Sequence, residues 1–261
     1  MKIVVIGAGW LGLPLAEKWA AASHKVVATR RTKFPQGTAG IHWDRCDPES
    51  GIFPSSLADA DLVVLSFPPS RSSTDQYRNH ANAVAQRISS EAKLILVSST
   101  GVYPDAQCTY TETDWTPEQA QDSVLGACEW RLQQALGTRV TIVRMAGLVG
   151  GERWPVRFMS RSGKTYNGDE PVNLIHQEDA VGLLQFIVEQ KLWGEVINGC
   201  APHHPTKVEH YTLLAQQLGI PVPNFVSGGN GGKTIVSEKS LQLGYTYQFP
   251  DPNQFHQGIK V

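Results

Sequence analysis

A run of β-branched residues at the start of the chain breaks straight into a glycine pattern: Ile3-Val4-Val5-Ile6-Gly7-Ala8-Gly9-Trp10-Leu11-Gly12, followed by helical periodicity. Each glycine has a steric reason. Gly7 permits the tight turn out of a strand, Gly9 lets backbone approach a pyrophosphate, and Gly12 lets the following helix pack on the sheet. That helix would point unpaired N–H groups and its positive dipole end at an anion. The strand–turn–helix context is what gives G-x-G-x-x-G its meaning, so Gly7, Gly9, Trp10, Leu11 and Gly12 are read as dinucleotide contacts.

The next strand identifies the nucleotide. It reads His24-Lys25-Val26-Val27-Ala28-Thr29 and continues into Arg30, Arg31 and Lys33. An NAD site places Asp or Glu about 20 residues past the glycines, on the ribose 2′-hydroxyl. Arg30, eighteen residues beyond Gly12, occupies that slot with the opposite charge. A guanidinium there can pair with a 2′-phosphate through two parallel hydrogen bonds. Thr29, Arg30 and Arg31 therefore point to NADP(H).

Bulk properties bound the remaining options. The 261 residues carry a net charge of −1 with no block of like charges, which gives no support to nucleic-acid or membrane-surface binding. The apolar start meets glycine after Ile6, too soon for a signal peptide or a membrane span. Cys46, Cys108, Cys128 and Cys200 are widely spaced and read as reduced thiols of a cytoplasmic protein, and no metal site is expected. His203 and His204 are read as structural or surface residues.

Short apolar runs alternate with helical patterns, which predicts an α/β fold with a Rossmann-type doubly wound parallel sheet. Strands are expected at 2–7, 25–30, 41–44, 61–66, 93–99, 139–145 and 195–198. Helices are expected near 10–22, 74–90, 118–136, 178–189 and 206–218. The Rossmann domain would span 1–150, completed by about 173–200. A small interleaved C-terminal substrate domain would take about 151–172 and 201–261. Within it, Ser227 to Gly232 reads as a flexible connector or lid.

Taken together, the motifs resemble the extended short-chain dehydrogenase/reductases, in the NAD-dependent epimerase/dehydratase group. The likeness rests on Gly7 to Pro14, Leu96 to Tyr103, Arg144 to Gly150, Asn173 to Asp179, Asn198 to Pro202 and Leu243 to Tyr245. It implies a small hydroxyl- or carbonyl-bearing substrate in a cleft beyond the carboxyl ends of the strands. It also makes Asp44 a candidate beside the adenine amine; a plain turn carboxylate is the alternative. Phe67, Pro68 and Pro69 take the place of the residues beside the cofactor ribose. Many members dimerise through two helices, so 74–90 and 118–136 are candidates for a homodimer bundle.

The chemistry departs from that pattern. Members use Ser or Thr with Tyr-x-x-x-Lys, in which the lysine charge helps a phenol trade a proton near neutral pH. Ser99 fills the Ser/Thr slot, but counting back from Glu129 puts Gln121 and Leu125 in the Tyr and Lys slots. None of the seven tyrosines is followed four residues later by lysine. Two readings follow. In one, the chain is an oxidoreductase or epimerase-like enzyme with Ser99 and Tyr103 as candidate catalytic residues, and the resemblance implies that Asp105, Glu112 and His176 lie in or near segments brought towards the cleft. In the other, it is a catalytically silent NADP(H) sensor or regulatory module. Arg144 is read either as a buried charge with an acidic partner or as a substrate anchor. Lys233, Tyr245 and Tyr247 either face the substrate or pack the small domain.

Overall fold

The computed structural model describes all residues except 36, 69–73, 230 and 259–261. Chain order begins β1 (Lys2–Ile6), α1 (Gly12–Ala21), β2 (Lys25–Arg30), β3 (Ile41–Arg45), β4 (Leu62–Leu65), α2 (Thr74–Ala85), β5 (Lys93–Ser99), β6 (Thr109–Tyr110), α3 (Val124–Leu136) and β7 (Val140–Met145). It continues with β8 (Gly147–Val149), α4 (Pro155–Arg161), β9 (Thr165–Asn167), β10 (Leu174–His176), α5 (Gln177–Glu189), β11 (Val196–Gly199), α6 (Lys207–Gln217), β12 (Asn224–Val226), β13 (Thr234–Ile235) and α7 (Glu238–Gln242). Among the described residues no helix is long and apolar enough to cross a membrane.

The seven predicted strands are present and form one sheet in the order β11-β7-β5-β4-β1-β2-β3. β1 pairs in parallel with β2 and β4, with Ile6 level with Thr29 on one side and Leu65 on the other. The chain therefore builds outward from β1 to β3, then returns to β1's other edge with β4. This reversal opens a crevice at the strands' carboxyl ends. Both faces of the sheet are covered. Val4, Ile6, Val63, Leu65, Leu94, Leu96 and Ile142 bury against Tyr77, Ala81 and Val84 of α2 and Cys128 and Leu132 of α3. Val5 turns to the opposite face, where α1 begins.

Contacts divide the chain into two compact units. The first comprises Met1–Val102, Thr116–Arg144 and Leu184–Ile197; the second comprises Tyr103–Trp115, Met145–Leu183 and Asn198–Val261. In the second unit, three short parallel pairs, β10 with β8, β12 with β9 and β13 with β6, accompany α4, α6 and α7. Its core gathers Trp154, Val156, Met159, Leu174, Tyr211, Leu214 and Phe255. A capping box between Thr206 and Glu209 starts α6.

Two segments differ from the sequence expectation. The third helix begins at Val124, not at 118, because Ser123 takes the N-cap position and accepts from Gly126 N at 3.0 Å. Residues 118–122 fold as turns against it, so closely that a Cβ on Gly126 would run into the Ala120 carbonyl. Within the glycine-rich stretch, described glycines have close neighbours: Gly228 N donates to Asp169 Oδ2 at 2.7 Å. A Cβ on Gly231 would meet Gln107 at 3.1 Å, and one on Gly232 would meet Glu170 at 3.2 Å. These glycines serve close approach.

A buried polar network fixes α3 under the sheet. Glu129 accepts from Ser98 Oγ at 2.5 Å and from Arg144 NH2 at 2.7 Å, with the Arg144 Nε also in range. Both charged side chains are fully buried. Arg144 is thus the paired buried charge of the two readings above. Arg144→Met leaves the Glu129 carboxylate buried without its cation and is expected to cost about 3–5 kcal/mol in urea unfolding. Ser98→Ala removes one hydrogen bond and should cost about 1–2 kcal/mol. A loss under about 1 kcal/mol for Arg144→Met would contradict this assignment.

Candidate functional site

The site grows out of β1. Ile3 to Ile6 are buried, and the chain must then turn sharply to start α1. Gly7 makes the turn with φ +91°, and a Cβ there would meet the Ser66 and Phe67 backbone at 3.0 Å. A Cβ on Gly12 would fall 2.7 Å from Gly7 O, so this glycine is required for helix and turn to close. Gly9 is different. A Cβ there meets only Gly7 O at 4.0 Å, and the residue is exposed. Among the described residues nothing demands glycine at this position, which leaves open space above the loop.

The α1 terminus facing that space is electrostatically uncompensated. Its N-cap, Leu11, supplies no side-chain hydrogen bond, and the first turn carries no acidic residue. Pro14 falls at the third helical position, between Leu13 N, which donates to Gly9 O at 3.0 Å, and Leu15 N, which donates to Leu11 O at 3.3 Å. Trp10 is half-buried and Leu11 buried.

Three hydrogen bonds join this loop to the end of β2. Ala8 N donates to Thr29 O at 2.9 Å, Gly7 N to Thr29 Oγ1 at 3.4 Å, and Arg30 Nε to Ala8 O at 2.8 Å. The Arg30 guanidinium also lies over the Trp43 ring, 5.5 Å from its centroid. Phe34 stacks on that ring, and Thr38 accepts from Trp43 Nε1. Arg30 forms no ion pair among the described residues, whereas Arg31 pairs with Glu49 at 3.2 Å.

Beside the loop lies a cleft, and five predicted residues line it: Gly7, Thr29, Arg30, Arg31 and Phe67. Ile6, Cys46, Pro48 and His80 complete its wall and were not read from the sequence. The parallel register Arg30 to Arg45 carries the chain beyond β3 to the level of Arg31, so Cys46 and Pro48 could have been found from it. Burial and the nearby Asp47 and Asp44 carboxylates push the Cys46 thiol up to about 12, making it an inert wall group. Asp44 is not part of this wall. It sits in register with Thr29 inside β3, and its carboxylate accepts from Arg45 N at 2.7 Å. Pro68 is exposed, and Pro69 lies outside the described residues.

Ser99 stands at the carboxyl end of β5, where its Oγ accepts from Gly101 N at 3.1 Å. Strand alternation sends Ser98 to Glu129 and leaves Ser99 half-buried on the other side. Leu125 adjoins the same turn: a Cβ on Gly101 would meet Ser99 Oγ at 3.5 Å and Leu125 Cδ1 at 3.6 Å. Gln121 is exposed in the turn before α3.

The other titratable groups named from sequence belong to the second unit. Tyr103 is buried, donates its hydroxyl to Asn198 Oδ1 at 2.7 Å and stacks on Tyr110. Glu112 accepts from Asn198 N at 2.7 Å. Lys233 Nζ donates to Tyr103 O at 2.8 Å; burial lowers its pKa, partly opposed by Asp105. His176 packs on Phe249 and Phe255, and burial pushes its pKa down against the pull of Glu178 and Asp179. Asp179 accepts from Gln248 N, Phe249 N and Tyr245 OH, while Tyr247 shares a hydrogen bond with Ser240. Among the described residues no cluster of His, Cys, Asp and Glu could hold a metal.

A doubly wound parallel sheet with a glycine turn after its first strand defines the Rossmann-type class, and solved structures of epimerase and dehydratase proteins share this fold. Human epimerase family protein SDR39U1 with NADPH superposes with a TM-score of 0.74 at 19% identity, covering 99% of this chain and 100% of the other. MoeE5 in complex with UDP-glucuronic acid and NAD superposes with a TM-score of 0.71 at 18% identity, covering 95% and 94%. No family model matches the chain. Protein YeeZ of Escherichia coli strain K12 is 36% identical over 96% of this chain and 97% of its own length. The chain belongs to the YeeZ family.

The glycine geometry separates structural from ligand-related roles. Gly12→Ala should lower unfolding stability by about 1–3 kcal/mol, because its Cβ meets backbone. Gly9→Ala should stay within about 0.5 kcal/mol of the parent, as expected for an exposed position without close neighbours. Equal losses in thermal or urea unfolding would contradict the distinction.

Proposed function

We propose that this chain binds NADP(H) at the β1–α1 loop and the end of β2, and acts as an oxidoreductase or epimerase-like enzyme on a small hydroxyl- or carbonyl-bearing substrate. The observation that carries the reading is Arg30. Its Nε is fixed on the loop carbonyl of Ala8, and its plane lies over Trp43, in the wall of the cleft beside the open space at Gly9. A guanidinium held this way presents its terminal nitrogens to a 2′-phosphate with little ordering cost. The uncompensated start of α1 and the bare Gly9 suit the pyrophosphate, and Phe67, Ile6 and Pro48 supply apolar wall for the adenosine. The bound nicotinamide would supply the hydride acceptor or donor. Ser99 is assigned a hydrogen bond to the substrate oxygen; Tyr103 is the other candidate, although Asn198 already takes its hydroxyl.

A second reading, a silent NADP(H) sensor, is favoured by Gln121 and Leu125, which offer neither a phenol nor an ammonium where the family resemblance expects them. Fluorescence titration should show NADPH binding at least about tenfold more tightly than NADH, and Arg30→Asp should abolish that preference. Equal affinities in the parent protein would overturn the 2′-phosphate contact. A panel of aldehydes, ketones and nucleotide sugars then separates the two readings. An oxidoreductase consumes NADPH with at least one class, and an epimerase-like enzyme converts at least one substrate with its cofactor regenerated; a sensor binds NADPH and leaves every substrate unchanged.

A further inference from the structure

The cleft wall contains one polar side chain that nothing above explains. α2 buries Tyr77, Ala81, Val84 and Ala85, a regular apolar stripe one to two turns long. His80 sits at the edge of this stripe, half-buried, and is one of the residues lining the cleft. No hydrogen bond or ion pair engages it among the described residues. Its surroundings are fixed from two directions. Tyr77, one turn earlier, sits edge-on to Phe67 with ring centroids 5.4 Å apart, and α2 packs against the turn that begins at Pro48.

The cleft is therefore two-sided in chemistry. The end of β2 supplies Arg30 and Arg31, whereas Phe67, Pro48, Ile6 and the uncharged Cys46 thiol are apolar. A phosphate belongs with the guanidinium groups. A purine belongs with the apolar wall, because its faces are apolar and its edge alone needs hydrogen-bond partners. An imidazole is suited to that edge: its neutral ring offers one donor and one acceptor.

We propose that His80 recognises the adenine base of the bound nucleotide through its purine edge, a specificity-determining contact separate from the Arg30 contact to the 2′-phosphate. The inference rests on the dinucleotide reading above. A base contact is common to NADPH, NADH and ADP-ribose, whereas a phosphate contact is peculiar to NADPH.

The test is calorimetric titration of the intact protein and its His80→Ala and His80→Gln variants with those three ligands. His80→Ala should weaken all three by one common factor, about five- to tenfold. His80→Gln, which keeps a donor and an acceptor, should recover part of the loss. Because the side chain is half-exposed, the unfolding midpoint of both variants should match the parent protein. Unchanged affinities in His80→Ala, or a loss confined to NADPH, would overturn the base contact while leaving the cofactor reading intact. If the parent protein bound none of the three, the cofactor reading itself would fail and the role of His80 with it.

Discussion

The latch between the first loop and the second strand is the constraint on which the site depends. Ala8 is held from both sides: its N–H by Thr29 O and its carbonyl by Arg30 Nε. Because Ile6 and Thr29 are level in the parallel register, the pairing of β1 with β2 sets the backbone bond, and Arg30 at the next position adds the second from its side chain. The loop and the cation are thereby fixed as one body. An anion arriving there meets donors already in position, so little of its binding energy is spent on ordering the protein.

A second anchor lies deeper. Glu129 ties β5, α3 and β7 through Ser98 and Arg144, in a place where an unpaired charge would be strongly destabilising. The network also settles a strand face. With Ser98 committed to the buried carboxylate, Ser99 must emerge at the carboxyl end of β5. In the resemblance to the dehydrogenases, the helix bearing Glu129 also carries the proton-handling pair. Here the same helix keeps its structural anchor, while Leu125 meets the turn after Ser99.

Much of the fold was legible because buried parallel strands are apolar runs rich in Val, Ile and Leu; β3, Ile41-His42-Trp43-Asp44-Arg45, is the exception, a strand without buried residues. The first loop was legible because at Gly7 and Gly12 only glycine meets the steric demands. What escaped was whatever depends on chain segments meeting in space. The start of α3 was misplaced because Ser123 caps the helix and residues 118–122 fold back as turns. Glycine-rich composition made 227–232 read as a connector, although Gly228 donates to Asp169 and Gly231 and Gly232 lie close to Gln107 and Glu170. Cys46, Pro48 and His80 reach the cleft by strand register and crossover, which no local pattern records. For His80 one hint existed: a polar residue breaking the spacing of Tyr77, Ala81 and Val84.

Hydrogen exchange of the intact protein with and without NADPH tests the central claim most directly, since it reports where the nucleotide orders the backbone. The account predicts new protection at residues 7–12, 29–31 and 46–48, with NADH protecting 29–31 less. Saturating NADPH with no change at the first loop, or protection confined to other segments, would contradict it.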